Sequence, residues 1–200
     1  MSELRNSTGD GGGPASDPLR ADPGNRSACR VILDAAGIDR ATKRLAHEIL
    51  ERADAVERLA LVAVARGGAP VGEMIQARIA EVAEVTIPLG VLDVTLYRDD
   101  VIGTGRRPIP NRTRMPLSVE ARRVILVEDV VYTGRTIRAA MDAVLDFGRP
   151  EAIHIATLVD RGHRELPIQV DFVGKNIPTS RGERVELRSN GEEGYEVVVL

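Results

Sequence analysis

The sequence predicts an α/β fold, with a central and mostly parallel sheet flanked by helices, and three observations carry that expectation. Residues 59–64 and 124–127 are unbroken apolar runs of strand length, and 152–159 is a third, mostly apolar run interrupted by His154 and Thr157; all carry β-branched residues, as expected of buried strands. The first is followed by Val71, Met74, Ile75, Ile79 and Val82, and the second by Ile137, Ala140, Met141 and Val144, both at helical spacing. Between strand and helix each time lies a glycine-bearing turn, Ala65-Arg66-Gly67-Gly68 or Thr133-Gly134-Arg135-Thr136.

Composition agrees with one globular domain. The chain has 200 residues, 43% apolar and 28% charged, enough to bury a core. Aromatic residues make up 2% and Trp is absent, so that core is aliphatic. A net charge of −3 speaks against nucleic-acid binding by bulk electrostatics while leaving room for a local basic patch. Cys29 is the only cysteine and forms no internal disulfide, so nothing points to secretion. No stretch approaches the ~20 apolar residues of a membrane span, and the first residues lack the apolar core of a signal peptide. The expectation is a cytoplasmic protein without a membrane partner.

Residues 1–28 are rich in Gly, Ser, Asp, Asn and Pro and read as a disordered tail, leaving 29–200 as the folded domain. Asp34 is a candidate cap for a helix marked by Ile38, Ala41, Leu45, Ile49 and Leu50. The opposite face of that helix carries Arg40, Lys43, Arg44, His47 and Arg52 and reads as solvated surface or as a nucleic-acid contact. Residues 85–97 alternate and suggest one long strand. Residues 99–118 have no periodicity, and Arg106, Arg107, Arg112 and Arg114 make this a cationic loop. Short strands are expected near 171–174, 185–187 and 197–200.

Candidate chemistry concentrates at 124–136. Glu128 and Asp129 stand where a buried strand ends, and Thr133, Gly134 and Thr136 follow as a helix begins. Amides of a turn and of a helix first turn present partial positive charge, and threonine hydroxyls add donors, so the turn suits a phosphate. It is not a Walker loop, and no Gly-x-Gly-x-x-Gly stands at a strand-to-helix junction. Two carboxylates above a phosphate turn suit the hydroxyls of a ribose whose 5′-phosphate the turn holds.

This segment resembles the phosphoribosyl-pyrophosphate (PRPP) motif of type I phosphoribosyltransferases. Three further stretches, 93–100 (Asp-Val-Thr-Leu-Tyr-Arg-Asp-Asp), 158–167 (Leu-Val-Asp-Arg-Gly-His-Arg-Glu-Leu-Pro) and 173–180 (Val-Gly-Lys-Asn-Ile-Pro-Thr-Ser), resemble the PyrR family, bifunctional pyrimidine-operon regulators and uracil phosphoribosyltransferases. The resemblance runs from about Arg30 onward. It implies the type I fold, its sheet accompanied by a small hood formed by the last short strands. It implies transfer of the ribosyl phosphate of PRPP to uracil, giving UMP and pyrophosphate with Mg²⁺, and UMP- or UTP-responsive binding of a pyrimidine-operon leader RNA by a homo-oligomer.

By resemblance Glu128, Asp129 and Arg66 are the catalytic residues. PRPP and UMP fall to Ala65, Arg66, Gly67, Arg98 and the run Glu128, Asp129, Val130, Val131, Tyr132, Thr133, Gly134, Arg135 and Thr136. Asp160, Arg161, Val173 and Ile177 lie near the base, and Arg40, Lys43 and Arg44 near RNA. No protein ligand for a metal is assigned. Two departures matter. Ala65 occupies the place where the family usually has Thr, which favours the alternative of a regulator that uses the pocket only as a nucleotide sensor. Tyr132 stands where purine enzymes tend to carry an acid, which favours a pyrimidine.

Overall fold

The computed structural model describes residues 29–95, 97, 113–116, 118–191 and 194–200. The expected tail at 1–28, Arg98 and most of the expected cationic loop, including Arg106, Arg107 and Arg112, lie outside the described residues.

The chain runs β1 (Arg30–Leu33), α1 (Ala35–Glu51), β2 (Leu59–Val64), α2 (Gly68–Ala83), β3 (Leu89–Leu92), β4 (Arg123–Val131), α3 (Arg135–Val144), β5 (Ala152–Asp160), β6 (Phe172–Asn176), β7 (Val185–Ser189) and β8 (Tyr195–Val199). Five strands form a parallel sheet in the order β3-β2-β4-β5-β6. A second, antiparallel sheet in the order β1-β8-β7 makes the hood. All six residues of β2 are buried, as its continuous apolar run requires.

Alternation along β4 sorts its side chains to two cores. Ile125 and Val127 face α1 and α2 with Leu45, Ile49, Val71, Ile75 and Ile79, whereas Val124 and Leu126 face α3 with Ala139, Ala140, Ala143 and Val144. Asp34 caps α1, its Oδ1 accepting from the Gly37 amide at 2.7 Å. Val82 and Met141, expected on buried stripes, are 48% and 37% exposed and lie at stripe margins.

Two expectations are corrected. Residues 85–97 do not form one strand, because β3 covers only Leu89–Leu92. Pro88 before it lacks an amide donor, and beyond it the Asp93 carboxylate turns back to accept the Thr95 amide at 2.9 Å, which closes a turn and stops the ladder. The strand at 171–174 belongs to the parallel sheet as β6 and not to the hood; its place in the hood is taken by β1, which pairs with β8.

The order of the parallel sheet fixes where a ligand would sit. From β2 the chain passes to β3 on one side and then to β4 on the other, so the strand order reverses between β2 and β4. Open α/β sheets bind ligands outside the carboxyl ends of their strands at that switch point. Residues 65–67 and 132–134 emerge there.

Candidate active site

Glu128 and Asp129 are consecutive strand residues, so their side chains leave opposite faces of β4. Glu128, 8% exposed, lines a cleft of about 410 Å³ together with Val130, Tyr132, Thr133, Gly134, Arg135, Thr136 and Glu165. Asp129 points the other way, into the loop after β2. A Cβ built on Gly67 would fall inside the Asp129 carboxylate, so only glycine permits this approach. Thus the acids flank the strand end, one beside each turn, instead of standing side by side.

Burial pushes the Asp129 carboxyl above its ordinary range, and Glu186 on β7 adds to the rise; the amides of Val130 and of Asp129 itself draw it back. Desolvation leaves this carboxylate with favourable charge interactions still to gain from a cationic or hydroxyl-bearing ligand. Above it, the loop after β2 is anchored by the Ala65 amide on the Leu92 carbonyl at 2.8 Å. Arg66 is exposed with φ 74°, in the left-handed region that a non-glycine residue adopts only under constraint. The constraint is visible on both sides, with Ala65 tied to β3 and Gly67 pressed to Asp129.

The turn after β4 has the form expected of a phosphate cradle. Gly134 takes φ 90° and leads directly into α3, and the Arg135 amide donates to Thr133 Oγ1 at 3.4 Å. A Cβ on Gly134 would stand 3.3 Å from Ile168 Cδ1 in addition to the strain of its φ. The segment after β5 wraps this turn from outside. Glu165 and Leu166 amides donate to the Thr133 carbonyl at 3.0 and 3.3 Å, Arg164 Nη1 donates to the Tyr132 carbonyl at 2.7 Å, and Arg135 pairs with Glu165 at 2.9 Å. Thr136 stands in the first turn of α3 and lines the cleft, while Val131 is fully buried beneath it.

The residues expected near a base are spread over several roles. The Asp160 carboxylate accepts from the Gly162 amide at 2.8 Å and from Arg164 Nη2 at 2.6 Å. Arg161 is 7% exposed, stacked over the Tyr132 ring. Val173 packs with Val131, Ile137 and Ile155, and Ile177 is buried in the core beneath the hood. Of the basic face of α1, Lys43 pairs with Asp39, and Arg44 bonds Glu48 and the carbonyls of Val173 and Gly174, so Arg44 ties α1 to β6. Arg40 is exposed.

Reading the sequence missed Glu165, Arg164 and Glu186 as neighbours of the site. The first two lie in the stretch 158–167, but nothing in their spacing says that the segment folds back on the turn after β4.

Comparison with known proteins places this geometry. The family model of the phosphoribosyl transferase domain matches residues 31–189. The chain is 55% identical over 165 residues to the bifunctional protein PyrR of Roseiflexus sp. strain RS-1, covering 82% of this chain and 90% of the relative. It is 50% identical over 170 residues to that of Deinococcus radiodurans, covering 85% and 93%. In fold it resembles a hypoxanthine-guanine phosphoribosyltransferase of Bacillus anthracis, with TM-score 0.63 at 17% identity, covering 84% of this chain and 96% of the other. It also resembles the hypoxanthine phosphoribosyltransferase of Trypanosoma cruzi, with TM-score 0.63 at 20% identity, covering 86% and 95%. At those identities the likeness to the purine enzymes speaks for the fold alone.

Proposed function

The chain belongs to the phosphoribosyl transferase family and, within it, to the bifunctional PyrR proteins, and from that premise we propose that it both makes UMP from uracil and PRPP and binds pyrimidine-operon leader RNA in response to UMP or UTP. The observation that carries the enzymatic half is the pairing, across one switch point, of a phosphate turn with a glycine-gated acid. The turn at Thr133–Thr136 has a left-handed Gly134 and opens α3, and Asp129 meets Gly67 on the other face of the same strand end.

In this reading the 5′-phosphate sits at the amides and hydroxyls of Thr133, Gly134, Arg135 and Thr136. Glu128 and Asp129 hold ribose hydroxyls, while the Ala65-Arg66-Gly67 loop receives the pyrophosphate end. The bond from the anomeric carbon to pyrophosphate breaks, a bond to uracil N1 forms, and the N1 proton leaves. Positive charge develops on the ribose as the first bond lengthens, so the useful contribution of Asp129 is a fixed negative charge in a site screened from water. Arg66 and, from outside the described residues, Arg98 meet the charge of the leaving pyrophosphate. Ala65 removes one hydroxyl donor from this loop but leaves its backbone in place.

Mg²⁺ fits this donor set as a substrate-borne ion. Hard carboxylate oxygens face the crevice, yet among the described residues no group of three or more His, Cys, Asp or Glu could hold a metal by itself. Bound with PRPP, the ion neutralises pyrophosphate oxygens and fixes their orientation. The base lies toward the hood, near Asp160 and Arg161 and the Val173 to Ile177 segment. RNA meets the basic face of α1, with Arg40 and Lys43 reaching phosphates and Arg44 held against β6. No described helix is long and apolar enough to cross a membrane. The protein works in the cytoplasm as a homo-oligomer.

The test is product analysis. Incubated with PRPP, Mg²⁺ and uracil, the protein forms UMP and pyrophosphate in equal amounts; absence of turnover at saturating Mg²⁺ leaves the sensor-only reading that Ala65 favours.

A further inference from the structure

We propose that the outer face of α3 is a two-fold interface on which a second copy of this chain packs antiparallel, an inference that names the contact behind the homo-oligomer of the functional reading and rests on that part of it. Among the described residues six large apolar side chains are more than a third exposed, and three of them, Tyr97, Met141 and Leu145, meet at α3. Met141 is 37% exposed and Leu145 56%. They are four residues apart and so share one helical face, which runs on through the 3₁₀ turn at Leu145–Phe147. Tyr97 joins them from the turn after β3, its hydroxyl donating to the Asp146 carboxylate. The buried side of the helix is separate, with Ile137, Ala139, Ala140, Ala143 and Val144 facing inward. The outer apolar strip is therefore not what holds α3 on the sheet.

The charges around the strip select its occupant. Arg138 stands before Met141, whereas Asp142 and Asp146 stand after it, and Arg138 Nη2 lies 3.1 Å from Asp142 Oδ2. This face is thus positive toward the start of α3 and negative toward its end. The two aspartates disfavour RNA phosphates, and a second α3 laid parallel would set like charges against each other. An antiparallel second copy sets them in opposition. With the two-fold axis passing near Asp142, Met141 of each copy lies on Leu145 of the other and each Arg138 reaches the other Asp146. Such a contact is self-complementary, as a two-fold interface must be, with an apolar centre and a charged rim.

The placement leaves the proposed activities room. α3 packs on one face of the parallel sheet with Val124 and Leu126, and α1 packs on the other with Ile125 and Val127. Pairing through α3 therefore leaves the basic face of α1 open in both copies and presents it twice. The contact is centred on the C-terminal half of α3, away from the phosphate turn at its start.

Sedimentation velocity of the full chain tests this. The parent runs as two copies or more, and Leu145→Asp, a change at an exposed position, runs at half the parent's mass or less. Arg138→Glu and Asp146→Arg each place like charges at both ends of the contact and weaken association about tenfold or more. Mixed in equal amounts these two variants restore both opposite-charge pairs and assemble with each other, which neither does alone. Recovery in the mixture separates an interface from a folding defect, because a misfolded chain is not repaired by another. A parent that sediments as a single copy, a Leu145→Asp protein of the parent's mass, or charge variants that fail to assemble together would each overturn the antiparallel interface. UMP formation by the parent, measured alongside, keeps the failures apart: a single-copy parent that turns over uracil loses the interface alone, and one that does not loses the transfer reading as well.

Discussion

Asp129 is the residue on which folding and chemistry pull in opposite directions. A carboxyl whose pKa is higher in the folded chain than in the unfolded one binds its proton more tightly when folded, so ionising it favours unfolding. The stability that protonated Asp129 contributes is present below the ordinary carboxyl range and is lost as pH rises through its raised pKa. Asp129→Asn removes that penalty together with the negative charge proposed to act in transfer. Its expected signature is a melting temperature at pH 8 at least equal to the parent's, with no such advantage at pH 4, and turnover reduced by roughly a hundredfold or more; thermal melts at the two pH values beside a rate measurement check it. Gly67→Ala attacks the same carboxylate by sterics. The added methyl collides with Asp129, so turnover falls by a similar factor while that acid's charge is retained, and unchanged turnover would show that the contact does not matter. The sequence gives Asp129 and Gly67 as separate candidates. Their contact was not legible, since it depends on β2 and β4 being neighbours.

At the scale of elements, the turn between β4 and α3 was the most legible part of the chain, because its strand, acids, hydroxyls and glycine are contiguous. Gly134→Val forces a β-branched residue to φ 90° and against Ile168, so UMP affinity is expected to drop tenfold or more, about 1.4 kcal/mol. Retained affinity by titration would remove the phosphate from this turn. Less legible was the fate of residues 85–97 and 171–174. Leu92 and Val94 are buried, but so is Asp93 between them, and alternation could not register that Asp93 would spend its side chain on a turn. The run at 171–174 is too short for its pattern to say which sheet it joins; pairing with β5 decides that. On α1 the structure redirects the RNA question. Arg44 is engaged with β6, so substituting it would confound binding with packing. Arg40 is the cleaner probe, and Arg40→Gln is expected to weaken leader-RNA binding and to lower the salt slope by about one while turnover persists. A slope and affinity equal to the parent's would make the helix face ordinary surface.

For the whole molecule, the architecture separates the two proposed activities. Transfer is placed at the carboxyl ends of β2 and β4, where the strand order reverses, whereas the basic face belongs to α1, a helix packed on α2 and on β6. Fold and family were readable from sequence because four motifs occur in order along one chain. The hood was read only in part, since β1 and β8 are distant in sequence and their pairing has no local signature. The account's central claim is that the crevice transfers a ribosyl phosphate to a pyrimidine, and competition among bases measures it most directly. With PRPP and Mg²⁺ supplied, and uracil, hypoxanthine and guanine offered separately at equal concentration, nucleotide formation is expected with uracil alone. Turnover of either purine at a rate comparable to uracil, or of no base at all, would contradict it.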